Sequence, residues 1–364
     1  MTSDKIELLS GSFLKYFQSK GYSELSLPII YPANYYLETS GENIRNKIIL
    51  FKDIKGEQRC LRPDLTIPVC DYYLKNKVTK NFKAVCKGYI FKNSENPKIN
   101  NSFQTFQVGV ENIGNQNIVK TDAEIISLAL NSVKRFTDAK LNLVIGNVGL
   151  FNSFIDKLKI PSRWKERFKR HFWREQYFNL LLNRLKDKGK RVDKSNKFDT
   201  IQTNRSFGGL EITEGVAGRS VEEITSRFEL KRKFAEKFVN SKEISQYIKQ
   251  YLAINAPVNK AMTRLTSLCK EMNINFNKEI DSLEKLVTQV NKEEFKATSK
   301  FFSTSFGREI EYYTGMVFEL YSISGNKKRI IAGGGRYDNL LKNLGSKNSI
   351  PAAGFAIKTS QLII

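Results

Sequence analysis

The order of strand-like and helix-like segments constrains the fold of this chain more than any other feature. Residues 1–150 mix both patterns, residues 151–298 are mainly helical in pattern, and strand patterns return from about residue 299. Strands supplied by both ends of a sequence, with helices between them, are typical of one domain that carries an insertion. The sequence therefore predicts an α+β domain with an inserted helical subdomain.

Helix boundaries are predicted at two places in the first 150 residues. Apolar residues at helical spacing run through IELLSGSFLKYFQSKGY, and Gly21 is expected to end that helix. A second helix is predicted in TDAEIISLAL, where Thr121 is followed three residues later by Glu124. This spacing is that of a capping box, so we expect Thr121 to be the N-cap residue.

Two predicted strands carry residues of functional interest. In SFQTFQVGVEN, residues 102–112, apolar side chains alternate with Gln107, Gly109 and Glu111. That polar face, with a gap at Gly109, is either the floor of a small-ligand site or a solvent-facing surface. IIAGGGRYDNLL, residues 330–341, predicts a strand, a glycine turn and a helix. Its glycines would also let the backbone approach a ligand or a neighbouring strand.

A second polar segment, LRPDLTIP, precedes a predicted helix. It places Arg62, Asp64 and Thr66 at alternating positions. Asp64 or Thr66 could cap the helix, or the carboxylate and hydroxyl could receive an ammonium group. Both interpretations stay open at this point.

The net charge of +23 raises the question of an anionic partner. The strongest basic segment, residues 157–191, also contains aromatic residues that could stack on bases. However, Trp164, Phe168 and Phe172 fall at positions i, i+4 and i+8, a spacing that favours one buried helical stripe. Trp173 falls outside this stripe. We therefore expect a solvated basic face, or one that meets an acidic partner, and regard nucleic-acid binding as the less favoured alternative.

Several site classes are excluded or disfavoured by composition. The single histidine, His171, excludes a catalytic triad that needs a second histidine and disfavours a His-rich zinc site. We expect His171 at the surface, and we expect neither a metal nor a cofactor. Four cysteines without paired spacing indicate reduced thiols and a cytoplasmic protein. The sequence contains neither a signal-peptide-like start nor an apolar run long enough to span a membrane.

Four segments in a fixed order resemble the motif series of histidyl-tRNA synthetases and their paralogues. They are LRPDLTIPV, FQTFQVGVE, GREIEYYTGMVFE and AGGGRYDNL. The resemblance covers residues 1–150 and 299–364, with residues 151–298 in the place of that family's insertion. It implies a class II synthetase fold, with an antiparallel sheet flanked by helices, and usually a homodimer. The chain stops at the last motif, so we expect no anticodon-binding domain.

The resemblance also implies a histidine-binding site. By motif position, Asp64 and Thr66 would meet the α-ammonium, although the synthetases usually have glutamate where Asp64 stands. Glu111 would accept a hydrogen bond from the imidazole, and Arg308 would lie near the carboxylate. The complete set of candidate residues is Asp64, Thr66, Gln107, Glu111, Arg308, Tyr312, Tyr313 and Tyr337.

The positions that bind ATP in the synthetases are altered in this sequence. Lys92 stands where that family has an arginine, and Ser94 replaces or displaces the acidic residue that follows. The last motif, GFAIKTSQ, has Gln361 where the synthetases end in arginine. Because lysine cannot reproduce the two-pronged hydrogen bonding of arginine, we expect poor ATP binding and no adenylation.

A sequence that keeps the histidine-binding motifs but has altered ATP-binding positions resembles one paralogous family, the regulatory subunits of ATP phosphoribosyltransferase. The segment GNVGLFNSFIDKLKIPSRWKERFKRHFWR is also similar to that family. The resemblance implies a non-catalytic protein that joins a short catalytic subunit in a hetero-oligomer and takes part in histidine feedback. A tRNA- or nucleic-acid-binding paralogue and a divergent histidyl-tRNA synthetase are the alternatives.

Overall fold

The larger part of the chain is described by a computed structural model. It comprises residues 3–39, 41–78, 81–93, 103–172, 174–188, 241–292, 297, 299–307, 312–324 and 327–362. Ser94, Trp173 and Arg308, which were singled out in the sequence, lie outside the described residues. The chain divides into two units, one formed by Met1–Ser153 with Tyr251–Ile364 and the other by Phe154–Gln250.

A nine-stranded sheet organises the first unit. Its strands, in spatial order, are β1 (Ser23–Leu25), β5 (Phe82–Phe91), β6 (Gln104–Ile113), β12 (Ala352–Lys358), β11 (Lys327–Arg336), β10 (Met316–Ser324), β7 (Leu141–Asn147), β9 (Ser299–Ser303) and β8 (Asn255–Pro257). Six of its eight strand pairs are antiparallel, and the pairs β1–β5 and β7–β9 are parallel. The two ends of the sequence thus share one sheet, as their strand patterns predicted.

A small second sheet and twelve helices complete the described fold. The second sheet has the order β2 (Ile30–Pro32), β4 (Gln58–Leu61) and β3 (Ile49–Lys52). The helices are α1 (Ser3–Ser19), α2 (Asn34–Thr39), α3 (Gly41–Lys47), α4 (Thr66–Lys75), α5 (Ile118–Arg135), α6 (Val148–Lys157), α7 (Ser162–Arg170), α8 (Glu175–Lys188), α9 (Ser241–Leu252), α10 (Val258–Glu271), α11 (Asn277–Asn291) and α12 (Leu340–Asn343). A short 3-10 helix, Thr359–Gln361, follows β12. The predicted α+β class is confirmed.

The starts and ends of two helices test the boundary predictions. Helix α1 ends at Ser19, and Gly21 follows with a φ of 84°, a left-handed conformation that glycine adopts without strain. Helix α5 begins earlier than predicted, because the Asn117 side chain accepts a hydrogen bond from the backbone N–H of Lys120. The N-cap prediction for Thr121 is therefore wrong. Its hydroxyl lies inside the first turn and bonds to the carbonyl of Asn117 at 2.8 Å.

The predicted glycine turn is also wrong, because Gly333, Gly334 and Gly335 all lie within strand β11. Side chains at two of these positions would collide with neighbouring strands. A Cβ at Gly335 would lie 2.6 Å from the carbonyl oxygen of Met316, and one at Gly334 would lie 2.5 Å from the Cβ of Phe355. The glycines thus permit close approach between strands, which was the alternative explanation.

In the second unit, the aromatic stripe of the basic segment is buried. Trp164, Phe168 and Phe172 are 6%, 0% and 4% exposed. Rings of Phe168 and Phe178 pack with centroids 5.2 Å apart, which joins this stripe to α8. The prediction that the stripe forms core rather than a stacking surface is confirmed.

His171 lies at the end of α7, where only part of its ring is accessible. Its ring packs edge-on against Tyr177 at 4.6 Å, and its Nδ1 atom is buried without a hydrogen-bond partner among the described residues. Burial, reinforced by the nearby Arg167 and Arg170, lowers its pKa. His171 is therefore partly at the surface, as expected, while its ring also packs between α7 and α8.

Two further observations bear on the predicted class of protein. In the described segments, no helix is long and apolar enough to cross a membrane. Cys60, Cys70, Cys86 and Cys269 are all buried, and none of the four forms a disulfide bond.

Candidate ligand-binding site

The candidate site is centred on Glu111, which lies on strand β6 and is 1% exposed. In the register of the sheet it pairs with Gly354 on β12 and with Ala84 on β5. Neighbours this small leave room for a carboxylate inside a closely packed sheet. A Cβ at Gly354 would overlap the Glu111 carboxylate and lie 2.5 Å from the carbonyl oxygen of Val110. Because Gly354 has no side chain, the Glu111 side chain can occupy this space.

Two hydroxyl groups hold the Glu111 carboxylate. Thr66 donates a hydrogen bond to Oε1 at 2.7 Å, and the Tyr337 phenol donates one to Oε2. Burial raises the pKa of Glu111 to about 8, while the bonds from Tyr337 and Thr66 act in the opposite direction. Thr66 and Tyr337 each occupy one acceptor position of the carboxyl, and its remaining lone pairs can accept a hydrogen bond from a further N–H group.

The N-terminus of α4 lies over this part of the sheet. Asp64 accepts a hydrogen bond from the backbone N–H of Ile67 at 3.1 Å, so it satisfies one free donor of the first helical turn. Its pKa is raised by burial, against which act the backbone bond from Ile67 and the nearby charge of Lys92. The N-cap residue of α4 is Leu65, so the prediction of Asp64 or Thr66 at that position is wrong, although Asp64 still accepts a hydrogen bond from the first helical turn.

Leu65 fills the gap that the sequence predicted at Gly109. A Cβ at Gly109 would lie 3.3 Å from Leu65 and 3.2 Å from the Sγ of Cys86. The interpretation of Gly109 as an open floor is therefore wrong. The space above it is occupied by Leu65, the residue that precedes α4.

Three tyrosines cluster beside Glu111. The ring of Tyr312 lies edge-on to the rings of Tyr313 and Tyr337, with centroids 5.1 and 6.0 Å apart. Burial raises the pKa of all three phenols, so they remain neutral donors at physiological pH. Such flat, neutral walls suit a planar heteroaromatic ligand.

The other predicted positions lie farther along the chain or at the surface. Gln107 is buried on β6, but four strand residues place its Cα about 13 Å from that of Glu111. Lys92 follows β5, with its backbone N–H bonded to the carbonyl of Phe103 at 2.9 Å. Gln361 is exposed on the 3-10 helix. The structure therefore brings together Asp64, Thr66, Glu111, Tyr312, Tyr313 and Tyr337, with Lys92 near enough for its charge to act on Asp64.

A buried ion network next to the site was not predicted. Arg336, 3% exposed, bonds to Asp122 through Nε at 2.8 Å and to Asp338 through Nη1 at 2.8 Å. Arg336 and Asp338 stood out in the sequence, whereas nothing local marked Asp122 as their partner, because it precedes Arg336 by 214 residues. Across the described ranges, no group of three or more His, Cys, Asp or Glu side chains could hold a metal ion.

The chain matches a protein-family model over most of its length. The model described as "Histidyl-tRNA synthetase" matches residues 1–193 and 219–362. This covers most of the chain, including every described residue of the candidate site.

Two sequence relatives carry a name that differs from that of the family model. A protein of Allorhizobium ampelinum called "ATP phosphoribosyltransferase regulatory subunit" is 27% identical over 359 residues, which cover 96% of this chain and 95% of the relative. A protein of Rhizobium rhizogenes with the same name is 27% identical over 358 residues, with the same coverage.

Solved structures confirm the class of fold. A structure from Bacillus halodurans, titled as an "ATP phosphoribosyltransferase regulatory subunit/histidyl-tRNA synthetase", has a TM-score of 0.66 at 19% identity and covers 99% of this chain and 78% of its own. Histidyl-tRNA synthetase from Nostoc sp. PCC 7120 has a TM-score of 0.64 at 17% identity and covers 99% and 71%. The fold is therefore that of the class II synthetase-like proteins.

Proposed function

Because the chain belongs to the histidyl-tRNA synthetase family, we propose that it is a regulatory subunit of ATP phosphoribosyltransferase, with a histidine site centred on Glu111. The observation that carries this proposal is the similarity to proteins of that name over 96% of this chain and 95% of theirs. A match that spans both proteins from end to end supports a shared role rather than a shared module. The protein would act in the cytoplasm, in histidine biosynthesis.

The geometry around Glu111 supports histidine as the ligand. An imidazole N–H needs a buried acceptor and aromatic walls, and Glu111 with the neighbouring tyrosines offers both. Asp64 and Thr66 lie at the start of α4, where they could receive the α-ammonium. Gln107 and Arg308 are proposed only from their motif positions, Arg308 as the partner of the carboxylate.

We propose that the chain has no catalytic activity of its own. Lys92, Ser94 and Gln361 occupy positions where a synthetase uses charged groups to hold ATP. Each charge-assisted hydrogen bond lost from a phosphate weakens binding by about 1.5–3 kcal/mol. Two or three such losses would leave adenylation very weak. The role would instead be to bind a short catalytic subunit and bias its conformations by differential affinity.

The proposed assembly follows from the same family relation. A homodimer of this chain would join the catalytic subunit in a hetero-oligomer. Residues 1–150 and 299–364 would form the synthetase-like core, and residues 151–298 the helical insertion.

The test is isothermal titration calorimetry with histidine and then with ATP and Mg²⁺. We expect wild type to bind histidine but not ATP, and Glu111→Gln to weaken histidine binding by at least tenfold. Glu24→Gln, at an exposed glutamate on β1, serves as the matched control and should bind like wild type. Histidine-dependent ATP–pyrophosphate exchange would instead support an adenylating enzyme.

A second measurement tests the regulatory role itself. Purified chain is added to a short-form ATP phosphoribosyltransferase catalytic subunit, and activity and complex mass are recorded. Activation together with a larger complex is the expected result. If neither appears, the chain is not a regulatory subunit of that enzyme, whatever its affinity for histidine.

A further inference from the structure

Arg336 joins strand β11 to helix α5 through a buried set of polar contacts. Its Nε and Nη2 atoms lie 2.8 and 2.6 Å from Oδ1 of Asp122. Its Nη2 also donates to the carbonyl of Ile118 at 3.4 Å, and its Nη1 donates to Asp338 at 2.8 Å. Every nitrogen of this guanidinium is thus engaged, which fixes its orientation in all directions.

Asp338 fixes the other side of the same short segment. Its Oδ1 also accepts a hydrogen bond from the backbone N–H of Ala352 at 2.9 Å. Its own N–H donates to Thr314 Oγ1 at 3.0 Å, and the N–H of Thr314 donates to the carbonyl of Arg336 at 2.8 Å. Tyr337 lies between these two anchored residues, and its N–H bonds to the carbonyl of Ala352 at 2.8 Å.

The direction of the Tyr337 side chain therefore depends on contacts made by its neighbours. Successive side chains on an extended segment point to opposite sides, so the Arg336 side chain extends toward α5 while Tyr337 extends toward Glu111. A change in the Arg336–Asp122 contact would rotate or loosen the backbone that carries the phenol. A shift of that kind can weaken a hydrogen bond whose strength depends steeply on distance and angle.

We infer that Asp122 and Arg336 act as a clamp that aims the Tyr337 hydroxyl at Glu111, which makes Asp122 a positioning residue for the ligand site. This inference rests on the proposed function, because the ligand is taken to be histidine. A buried ion pair is often no more stabilising than an apolar replacement of similar volume. The clamp matters instead because it lies beside Tyr337, whose orientation decides whether its hydroxyl can bond to Glu111.

The test is a double-mutant cycle between Asp122→Asn and Tyr337→Phe. Asparagine keeps the volume of aspartate and one acceptor oxygen but removes the charge that holds Arg336. We expect Asp122→Asn to weaken histidine binding by roughly tenfold, equivalent to about 1.4 kcal/mol. If Asp122 acts through the Tyr337 hydroxyl, adding Asp122→Asn to Tyr337→Phe should weaken binding no further. Full additivity, or unchanged affinity in Asp122→Asn, would overturn the inference.

A control separates positioning from loss of stability. Ser132→Ala removes a buried hydroxyl on the same helix that bonds to the carbonyl of Ala129 at 2.9 Å. It should lower the melting temperature without changing histidine affinity. If Asp122→Asn does not fold, Arg336→Lys replaces it in the cycle, since lysine keeps the charge but cannot reach all three partners.

A ligand-independent measurement distinguishes failure of the clamp from failure of the proposed function. The contribution of Tyr337 to the near-ultraviolet circular dichroism is obtained by subtracting the spectrum of Tyr337→Phe from that of wild type. Asp122→Asn should change this signal in the Tyr337 background and leave the Tyr337→Phe spectrum unchanged. If wild type binds no histidine, the proposed ligand is wrong, and this spectrum still decides whether Asp122 orients Tyr337.

Discussion

The phenol of Tyr337 donates a hydrogen bond to the carboxylate of Glu111, although 226 positions separate the two residues in the chain. Glu111 comes from β6, in the first half of the sequence, and Tyr337 follows β11, near its end. The contact forms only when both halves of the chain have joined one sheet. The candidate site can therefore form only after the sheet has assembled.

The first prediction concerns the pH dependence of stability. Burial raises the pKa of Glu111 to about 8, so the folded state holds a proton there that the unfolded chain has released above about pH 4.5. Between these values the folded state binds more protons, and its stability falls as the pH rises, by up to about 1.4 kcal/mol per pH unit. Glu111→Gln should remove this dependence.

Urea unfolding of wild type and Glu111→Gln provides the measurement, at pH values from 5 to above 8 that are about one pH unit apart. Asp122, whose pKa is raised to about 6 by burial, contributes in the same direction below that pH. Since it is present in both proteins, its effect cancels in the difference. A constant difference in free energy across the range would show that Glu111 is already ionised at pH 5.

Local periodicity was sufficient to predict which residue shares a face of the strand with Glu111. The alternation in SFQTFQVGVEN placed Gln107 and Glu111 correctly on one strand. The wrong predictions came from signals that have two local outcomes. Asn117 and Thr121 are both good N-cap residues one turn apart, and only the path of the preceding chain decides between them.

Long-range packing decided the remaining features. Three successive glycines are a strong turn signal, but here they meet the carbonyls and side chains of flanking strands. The occupation of the space at Gly109 by Leu65 and the pairing of Asp122 with Arg336 likewise depend on which segments become neighbours. Sequence spacing carries no information about such contacts until the strand order is known.

A second prediction concerns the space between β12 and Glu111. Gly354→Ala would force a methyl group into the Glu111 carboxylate and against the carbonyl of Val110. We expect it to lower stability by about 1–3 kcal/mol and to abolish histidine binding. Gly333→Ala is the matched control on the same sheet, because its nearest atom, the carbonyl oxygen of Phe318, lies at 3.4 Å. Thermal unfolding and calorimetry of both variants compare them; equal losses would refute the steric explanation.

A third prediction concerns the buried guanidinium of Arg62, which precedes α4. It donates hydrogen bonds to the carbonyls of Leu27 at 2.7 Å, Pro28 at 3.0 Å and Tyr89 at 2.9 Å. Lysine cannot serve three acceptors in this arrangement, so Arg62→Lys should destabilise the protein by about 1–3 kcal/mol.

Arg59 offers the matched control for that substitution. It lies on β4 and pairs with Asp53 at 2.9 Å, with both side chains partly exposed to solvent. Because partly exposed ion pairs contribute little, Arg59→Lys should cost less than about 1 kcal/mol. Chemical denaturation of both variants gives the comparison, and a similar cost at the two positions would mean that the carbonyl contacts of Arg62 carry no special stability.

The last prediction separates a packing role from nucleic-acid binding in the basic segment. Phe168 is fully buried, whereas Arg163 and Arg170 on the same helix are exposed. If this surface only carries solvated charge, the wild type should bind single-stranded RNA weakly and only at low salt, without dependence on base sequence. Phe168→Leu should then lower stability by about 1–3 kcal/mol and leave that weak binding unchanged. The double substitution Arg163→Ala and Arg170→Ala should reduce this weak RNA binding without loss of stability.

Fluorescence anisotropy of labelled RNA across a salt series provides the measurement. Tight binding at physiological salt that Phe168→Leu abolishes would instead show that the aromatic stripe contacts bases.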